Sequence, residues 1–493
     1  MFRRLVKWFA FVVMGLIVVG VVLYALGARI ALDGGGGLHI RFPRSADAQA
    51  RDVEAHRAAQ RTGVTATPVP AEPPVSTEPE PSAPARAAAD VSSDAMPAAV
   101  AAALPPVAPG AWTDFRGPRR DGAYAERAIR TDWPAGGVTP LWTQPAGGGY
   151  ASFAVARGRA FTIEQRGEEE VVAAYDPRTG RELWTVRWTA AFREFMGGDG
   201  PRATPTWAAG HVYALGAQGE LRCLDEATGR VVWRTNILED SGAANLQWGM
   251  AASPLVIRDM VVVLPGGRNG QSVVAYDRHT GARVWSALDD QAAYASPMLV
   301  TLAGVEQVLA VTASRIVGLS PDRGSLLWET PWTTQYGINA AQPIIVSDNR
   351  VFYSSGYGTG AAMFELSHAE GRWTVREVWR NNRMKNRFAS SVLHEGFLYG
   401  LDEAILACVD AGTGELRWKG GRYGYGQVVL AGGHLIVLTE DGDLALVRAT
   451  PERHEEIARF GVLDGKTWNV PALAGGILLV RNLQGMAAID VRR

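Results

Sequence analysis

Cysteine is nearly absent. Cys223 and Cys408 are the only two in 493 residues, with no CxxC pair and no C-x-x-C-H haem-attachment motif. A disulfide framework and a covalent haem are therefore excluded. Histidine is sparse as well. The 8 are scattered, and none stands at metal-ligand spacing from another, so no metal site is read. Net charge is missing too: 49 Lys+Arg balance 50 Asp+Glu. Without a basic field there is no electrostatic case for nucleic acid.

What is abundant is Gly, at 56, and Trp, at 16. Both are periodic from Trp112 onward. One phrase recurs as Asp176…Thr179-Gly180…Trp184, Asp225…Thr228-Gly229…Trp233, Asp277…Thr280-Gly281…Trp285 and Asp410…Thr413-Gly414…Trp418. Weaker copies end at Trp328 and Trp379, and a degraded one near Phe460. An alternating apolar strand such as 171–175 runs into the phrase. Asp hydrogen-bonds the turn backbone, Gly supplies positive φ, and a second strand carries Trp, which reads as a β-hairpin. Before each hairpin stands another strand pair, begun by small residues and Pro as in Ser253-Pro254 and Ser296-Pro297.

The markers Trp142, Trp184, Trp233, Trp285, Trp328, Trp379, Trp418 and Phe460 return about every 45 residues. Four-stranded units of that length stack radially, so the fold class is all-β: an eight-bladed β-propeller of four-stranded antiparallel blades. The recurring Trp is read as packing between blades. The tail, Ala488-Ile489-Asp490, carries a strand and Asp without a Trp, whereas Leu141-Trp142 is a Trp strand without its Asp. Together they complete one blade and remove two open edges. The two cysteines fall at one place in blades four apart, and buried free thiols are expected.

The N-terminal part is a different material. Trp8 to Ala28 is an uncharged, mostly apolar run of about 20 residues preceded by Arg3, Arg4 and Lys7. It reads as a transmembrane helix with its start in the cytoplasm; a cleaved secretion signal is the other reading. Residues 1–32 are thus assigned to an anchor in the bacterial inner membrane, single-pass, through residues 8–28. Residues 33–110, rich in Pro and Ala, are assigned to a disordered linker. Residues 111–493 form the propeller, placed in the periplasm.

The phrase Asp-x-x-Thr-Gly-x-x-x-Trp resembles the repeat of pyrroloquinoline quinone (PQQ) dehydrogenases and of their non-enzymatic BamB-like relatives in outer-membrane assembly. The stretches 115–122, Gln247-Trp248-Gly249, Tyr336-Gly337-Ile338-Asn339, 355–358, Met384-Lys385-Asn386 and 439–442 are similar to bacterial PQQ-binding-like propeller proteins. The resemblance implies either a binding scaffold in envelope assembly or a PQQ- and calcium-dependent alcohol or sugar dehydrogenase. The adjacent Cys-Cys pair of those dehydrogenases is missing, and no catalytic residue is assigned.

In a ring, loops entering the innermost strands converge on one face. They carry Arg202, Gln247, Trp248, Tyr294, Tyr336, Asn339, Lys385, Asn386, Arg387, Tyr423, Trp468 and Asn469, with Tyr150, Tyr425 and Lys466 nearby. Aromatics beside amides and cations suit capture of an envelope protein or a small polar ligand. The expectation is a binding propeller with no cofactor; the alternative is the quinoprotein dehydrogenase.

Overall fold

A computed structural model describes residues 14–15, 18–20, 29–32, 38–41, 45–62, 109–134 and 136–493. Eight sheets of at least four antiparallel strands form the propeller. Seven blades are continuous in sequence, over 154–189, 206–236, 255–287, 298–331, 344–381, 392–422 and 427–461. Blade 8 takes Ala472–Ala474, Ile477–Arg481 and Gly485–Asp490 from the C-terminal end, and Trp142–Pro145 as its outermost strand. Trp142 lies opposite Ala488, and Leu141 N donates to Ala488 O at 2.7 Å. The ring is closed as the sequence implied.

The phrase explains how one blade grips the next. Asp176 Oδ1 accepts from the amides of Arg178 and Thr179 at 2.8 and 3.1 Å, and Gly180 sits at φ +72°. A Cβ on Gly180 would stand 2.7 Å from the Trp142 ring of the preceding blade. Gly229 lies under Trp184, Gly281 under Trp233, Gly324 under Trp285 and Gly414 under Trp379 in the same way. Each of these indoles also donates across the junction: Trp184 to Glu226 O and Trp233 to Arg278 O, at 3.0 and 2.8 Å. Trp328 differs because blade 5 has no such phrase. Its hairpin is two ten-residue strands, Gly360–Ala369 and Arg372–Asn381, and the Trp328 indole donates to Gln307 inside its own blade. At the degraded copy, Gly137 from the N-terminal segment packs on Phe460.

The small residues that open each inner strand form a belt around the axis. Ser152 N donates to Thr204 Oγ1 at 2.9 Å, Thr206 Oγ1 to Pro254 O at 2.6 Å, and Ser253 N to Ser296 Oγ at 2.9 Å. Gln342 Nε2 donates to Ser296 O at 2.7 Å, and Gln342 N to Ser390 Oγ at 2.9 Å. Gln427 Nε2 reaches Phe388 O and Trp468 O, and Ser152 Oγ returns to Val470 O. Every blade junction is bridged. These groups are buried, so each made bond avoids the cost of an orphaned one.

Residues 112–124 seal one end of the axis. Trp112 exchanges backbone bonds with Val155 at 2.8 Å, and Ala123–Tyr124 pair in parallel with the innermost strand of blade 7. Arg116 is fully buried and donates to the carbonyls of Ser391, Asp121, Ser390 and Val428; burial pulls its pKa down to about 10. Arg120 grips Asp114 at 2.9 Å and the carbonyls of Pro297, Ser253 and Pro254. The guanidiniums thus supply hydrogen-bond donors to these carbonyl groups.

Two features depart from what was expected of the anchor (1–32) and the linker (33–110). Arg29–Leu32 and Leu38–Arg41 pair as a short antiparallel ladder. Residues Ala46–Thr62 form a helix lying along the closing strand between blades 8 and 1. The disordered assignment fails there because it weighed apolar content, and this helix docks through polar groups. Val53 and Arg57 are fully buried. Arg57 donates to Gln144 Oε1 at 2.6 Å and Pro145 O at 3.0 Å, and its guanidinium lies 5.0 Å from the Tyr175 ring centre. Gln49 Nε2 donates to Ala146 O, Gln60 Nε2 to Gln144 Oε1, and Glu54 pairs with Arg166 and Arg187. Most of the remaining linker and most of residues 8–28 lie outside the described residues. Among the described residues no helix is long and apolar enough to cross a membrane.

Candidate functional site

The loops running from each outermost strand into the next innermost strand gather at the end opposite the sealed one. Their side chains form a chain of ring and cation contacts. Arg202 lies 4.7 Å from the Phe192 ring centre and 5.6 Å from that of Tyr150. Tyr150 stacks on Trp468 at 5.3 Å, and Trp468 meets Phe388 at 4.6 Å. Arg387 stands over Tyr357 at 4.6 Å and Tyr425 at 4.8 Å, and Tyr357 meets Tyr336 edge-on at 5.6 Å. Lys466 Nζ is 4.2 Å over Trp468, and Trp248 lies 6.1 Å from Tyr294. Such contacts are worth about 0.5–2 kcal/mol each in partly desolvated positions. The mouth is a preformed surface, held by its own members.

One loop rises over it. Glu194 accepts from the amides of Met196 and Gly197, and Arg202 holds the Gly198 and Gly200 carbonyls. Lys466 Nζ donates to Met196 O and Gly197 O, and Tyr150 OH to Gly197 O. So fastened, the loop leaves Phe195 78% and Met196 66% exposed, and Tyr336 elsewhere on the mouth is 63% exposed.

Of the residues singled out in the sequence, Arg202, Trp248, Tyr294, Tyr336, Arg387 and Trp468 meet in this surface. Gln247 is exposed beside Trp248. The others are placed beneath it. Lys385 pairs with buried Asp402 at 2.6 Å. Asn339 donates to Thr312 O and accepts from Ser355 Oγ, and Asn386 donates to Leu401 O and accepts from Ser391 Oγ. Asn469 Nδ2 bridges to Gly149 O and Ala151 O. Tyr423 is buried against Glu456 and His454 on the outer strand side of blade 7. Sequence reasoning passed over Phe192, Phe195, Met196, Tyr357 and Phe388. Phe388 adjoins Arg387 and was legible from that loop. Tyr357 was not, because it stands in a turn between the second and third strands at φ +55°.

Burial pushes the Tyr294 phenol up to about 12, so it stays protonated at neutral pH. The nearest carboxylates are engaged: Glu440 accepts from Trp468 Nε1 at 3.0 Å and Tyr425 N at 3.1 Å, and Glu194 holds its loop. A calcium-held quinone needs clustered oxygen donors on the axis. Among the described residues no three His, Cys, Asp or Glu form a metal-binding group. Asn339, Asn386 and Asn469 are turned into the blades, as above. The donor set here does not fit that cofactor. Cys223 and Cys408 are buried free thiols in blades 2 and 6, raised to about 12 by burial.

A family model described as outer membrane protein assembly factor BamB matches residues 167–420. The chain belongs to the BamB family of PQQ-like propellers. It is 25% identical to the BamB of Burkholderia pseudomallei (strain K96243) over 359 residues, covering 62% of this chain and 86% of that one. A quinohemoprotein alcohol dehydrogenase of Comamonas testosteroni is 32% identical over 126 residues, 23% of this chain and 16% of that enzyme. Among solved structures, BamB from Moraxella catarrhalis has a TM-score of 0.51 at 16% identity, covering 71% of this chain and 97% of that one. The Comamonas testosteroni dehydrogenase structure has a TM-score of 0.56 at 14% identity, covering 78% and 81%. These structural likenesses speak to the fold. The fold hosts both scaffolds and enzymes, so the BamB-family mouth has to be read from its own groups.

Proposed function

We propose that this chain is a binding propeller that holds a protein partner in cell-envelope assembly, in the manner its BamB relatives' name describes. In this reading the 8–28 segment anchors it in the inner membrane and the propeller stands in the periplasm. The supporting observation is the mouth itself. Its cations lie over aromatic rings and on loop carbonyls, its carboxylates accept from ring and backbone N–H groups, and Phe195, Met196 and Tyr336 are left exposed. Rigid aromatic anchors beside hydrogen-bonded polar groups are what protein recognition sites use.

The competing reading is PQQ-dependent oxidation of an alcohol or sugar, favoured by the 126-residue match to the Comamonas enzyme. Titration of the purified full chain with PQQ and calcium separates the two. The scaffold reading expects no stoichiometric uptake and no substrate-dependent dye reduction. Tight one-to-one binding with alcohol-dependent reduction would replace it with the enzyme.

A further inference from the structure

The helix Ala46–Thr62 has a direction, and its direction decides which end of the axis the preceding chain enters from. Its first turn lies at the mouth end. Gln49 Nε2 donates to Ala146 O at 2.7 Å and to Leu483 O, and a Cβ on Gly167 would stand 3.8 Å from the Ala50 Cβ. Leu483 and Gly167 stand in the turns between the second and third strands of blades 8 and 1, on the mouth side like the turn of Tyr357. Its last turn lies at the sealed end. There Gln60 Nε2 donates to Gly180 O and Gln60 Oε1 accepts from Glu182 N, both at 3.3 Å, beside the hairpin turn of blade 1. The helix therefore runs antiparallel to the closing strand Trp142–Pro145.

The path back to Arg29 is short. Arg29 pairs with Arg41 in the N-terminal ladder. Paired Cα atoms are about 5 Å apart, and the chain from Arg41 to Ala46 spans at most about 18 Å. Arg29 is thus no farther than about 25 Å from the start of the helix. At the rim, Leu483 touches the raised loop of the mouth, since a Cβ on Gly198 would stand 3.0 Å from Leu483 Cδ1. Phe195 and Met196 are exposed on that loop. A free spacer over 33–110 would instead join the propeller at Trp112, on the sealed end, and would leave either end free to face a bilayer.

We infer that the mouth faces the inner membrane, with the loop of Phe195 and Met196 held within about 50 Å of the bilayer surface. The mouth is thereby addressed to a protein embedded in that membrane. The inference rests on the reading of residues 8–28 as the anchor. It adds the orientation of the ring and the kind of partner the mouth can meet.

The test uses the full chain in vesicles of phosphatidylethanolamine and phosphatidylglycerol that carry a rhodamine-labelled lipid. Cys223 and Cys408 are buried, so one introduced surface thiol takes a fluorescein label selectively. Met196→Cys places it on the mouth loop between blades 1 and 2. Ala227→Cys places it in the exposed hairpin turn of blade 2, at the sealed end. The two positions differ chiefly in height along the axis, by a strand length of about 20 Å. Energy transfer to the lipid is expected to be about twofold or more greater from position 196 than from 227. Equal transfer, or more from 227, in protein that floats with the vesicles would overturn the orientation. Protein that does not float would contradict the anchor reading itself, and the inference would fall with it. Mass spectrometry of the photo-crosslinked adduct formed from position 195 in intact cells reads the partner. A protein with its own membrane span is expected, and a soluble periplasmic protein would overturn the membrane address.

Discussion

At the residue scale, the gripping unit is a glycine under an indole. Gly229 combines φ +77° with a Trp184 atom 2.7 Å from where its Cβ would stand. A side chain there meets both a left-handed backbone penalty and an overlap with a ring fixed from the next junction. Gly229→Ala is expected to destabilise the propeller by about 3 kcal/mol, read as a lower urea midpoint. An unchanged midpoint would mean the Trp–Gly contact is not a stabilising joint. This joint was legible in the sequence because Asp, Gly and Trp recur at fixed offsets. The exception at Trp328 was not, since nothing in its own repeat reveals that the hairpin glycine of blade 5, Gly371, stands clear of every neighbour.

Two buried glutamates set opposite pH dependences. Burial pushes Glu170 up to about 7, while Glu164, although also raised by burial, is held down to about 2 by Arg166, Arg481 and Arg57. Both have an ordinary value of 4.5. The folded chain keeps the Glu170 proton longer than the unfolded chain, so stability falls as pH rises from 4.5 to about 7. For Glu164 the folded chain releases its proton more readily, so stability falls as pH drops from 4.5 toward about 2. Glu170→Gln keeps the neutral form's shape at the contact with Ala217 N. It should match the parent in melting temperature near pH 4.5 and exceed it at pH 8. Parallel melting curves across that range would contradict the assignment.

At the element scale, the 46–62 helix acts as a strap on the closing strand. It lies against Trp142–Pro145, the one strand of blade 8 that comes from the other end of the chain. Its hold is a buried ion network: Arg57 with Glu182 at 3.6 Å, Arg166 with Glu164 at 2.7 Å, Arg166 with Glu54 at 3.0 Å. Removing one partner from such a network leaves others unpaired, at a cost of about 3 kcal/mol. Arg57→Ala should therefore lower the melting temperature and speed amide exchange at Leu141 and its neighbours ahead of other strands. Uniform acceleration over all blades would show that the helix is not a strap. This element was hidden in the sequence for a physical reason. Its buried residues are Val53 and Arg57, with Gln49 and Gln60 half-buried beside them, so apolar periodicity had little to report.

At the scale of the whole molecule, the belt of Ser, Thr and Gln side chains and the zipped ends make the ring one cooperative body. The Ser-Pro openings of the inner strands showed where those strands begin, but not that their hydroxyls reach around the axis. Six of the mouth residues were legible because loop position in a ring fixes which face a side chain joins. Those that sank into the blades, such as Asn339 and Asn469, were not separable, because an amide that binds a ligand and one that bonds a neighbouring carbonyl look alike in a sequence. The ring therefore presents a fixed aromatic face with Phe195, Met196 and Tyr336 at its surface.

That face is most directly tested by placing a photo-crosslinking side chain at Phe195 or Tyr336 in the full-length protein in intact cells, with exposed Val284 on the blade rim as control. A discrete adduct with one envelope protein from both mouth positions, and none from Val284, is the predicted result. No adduct at the mouth, or the same adducts from mouth and rim, would contradict the account.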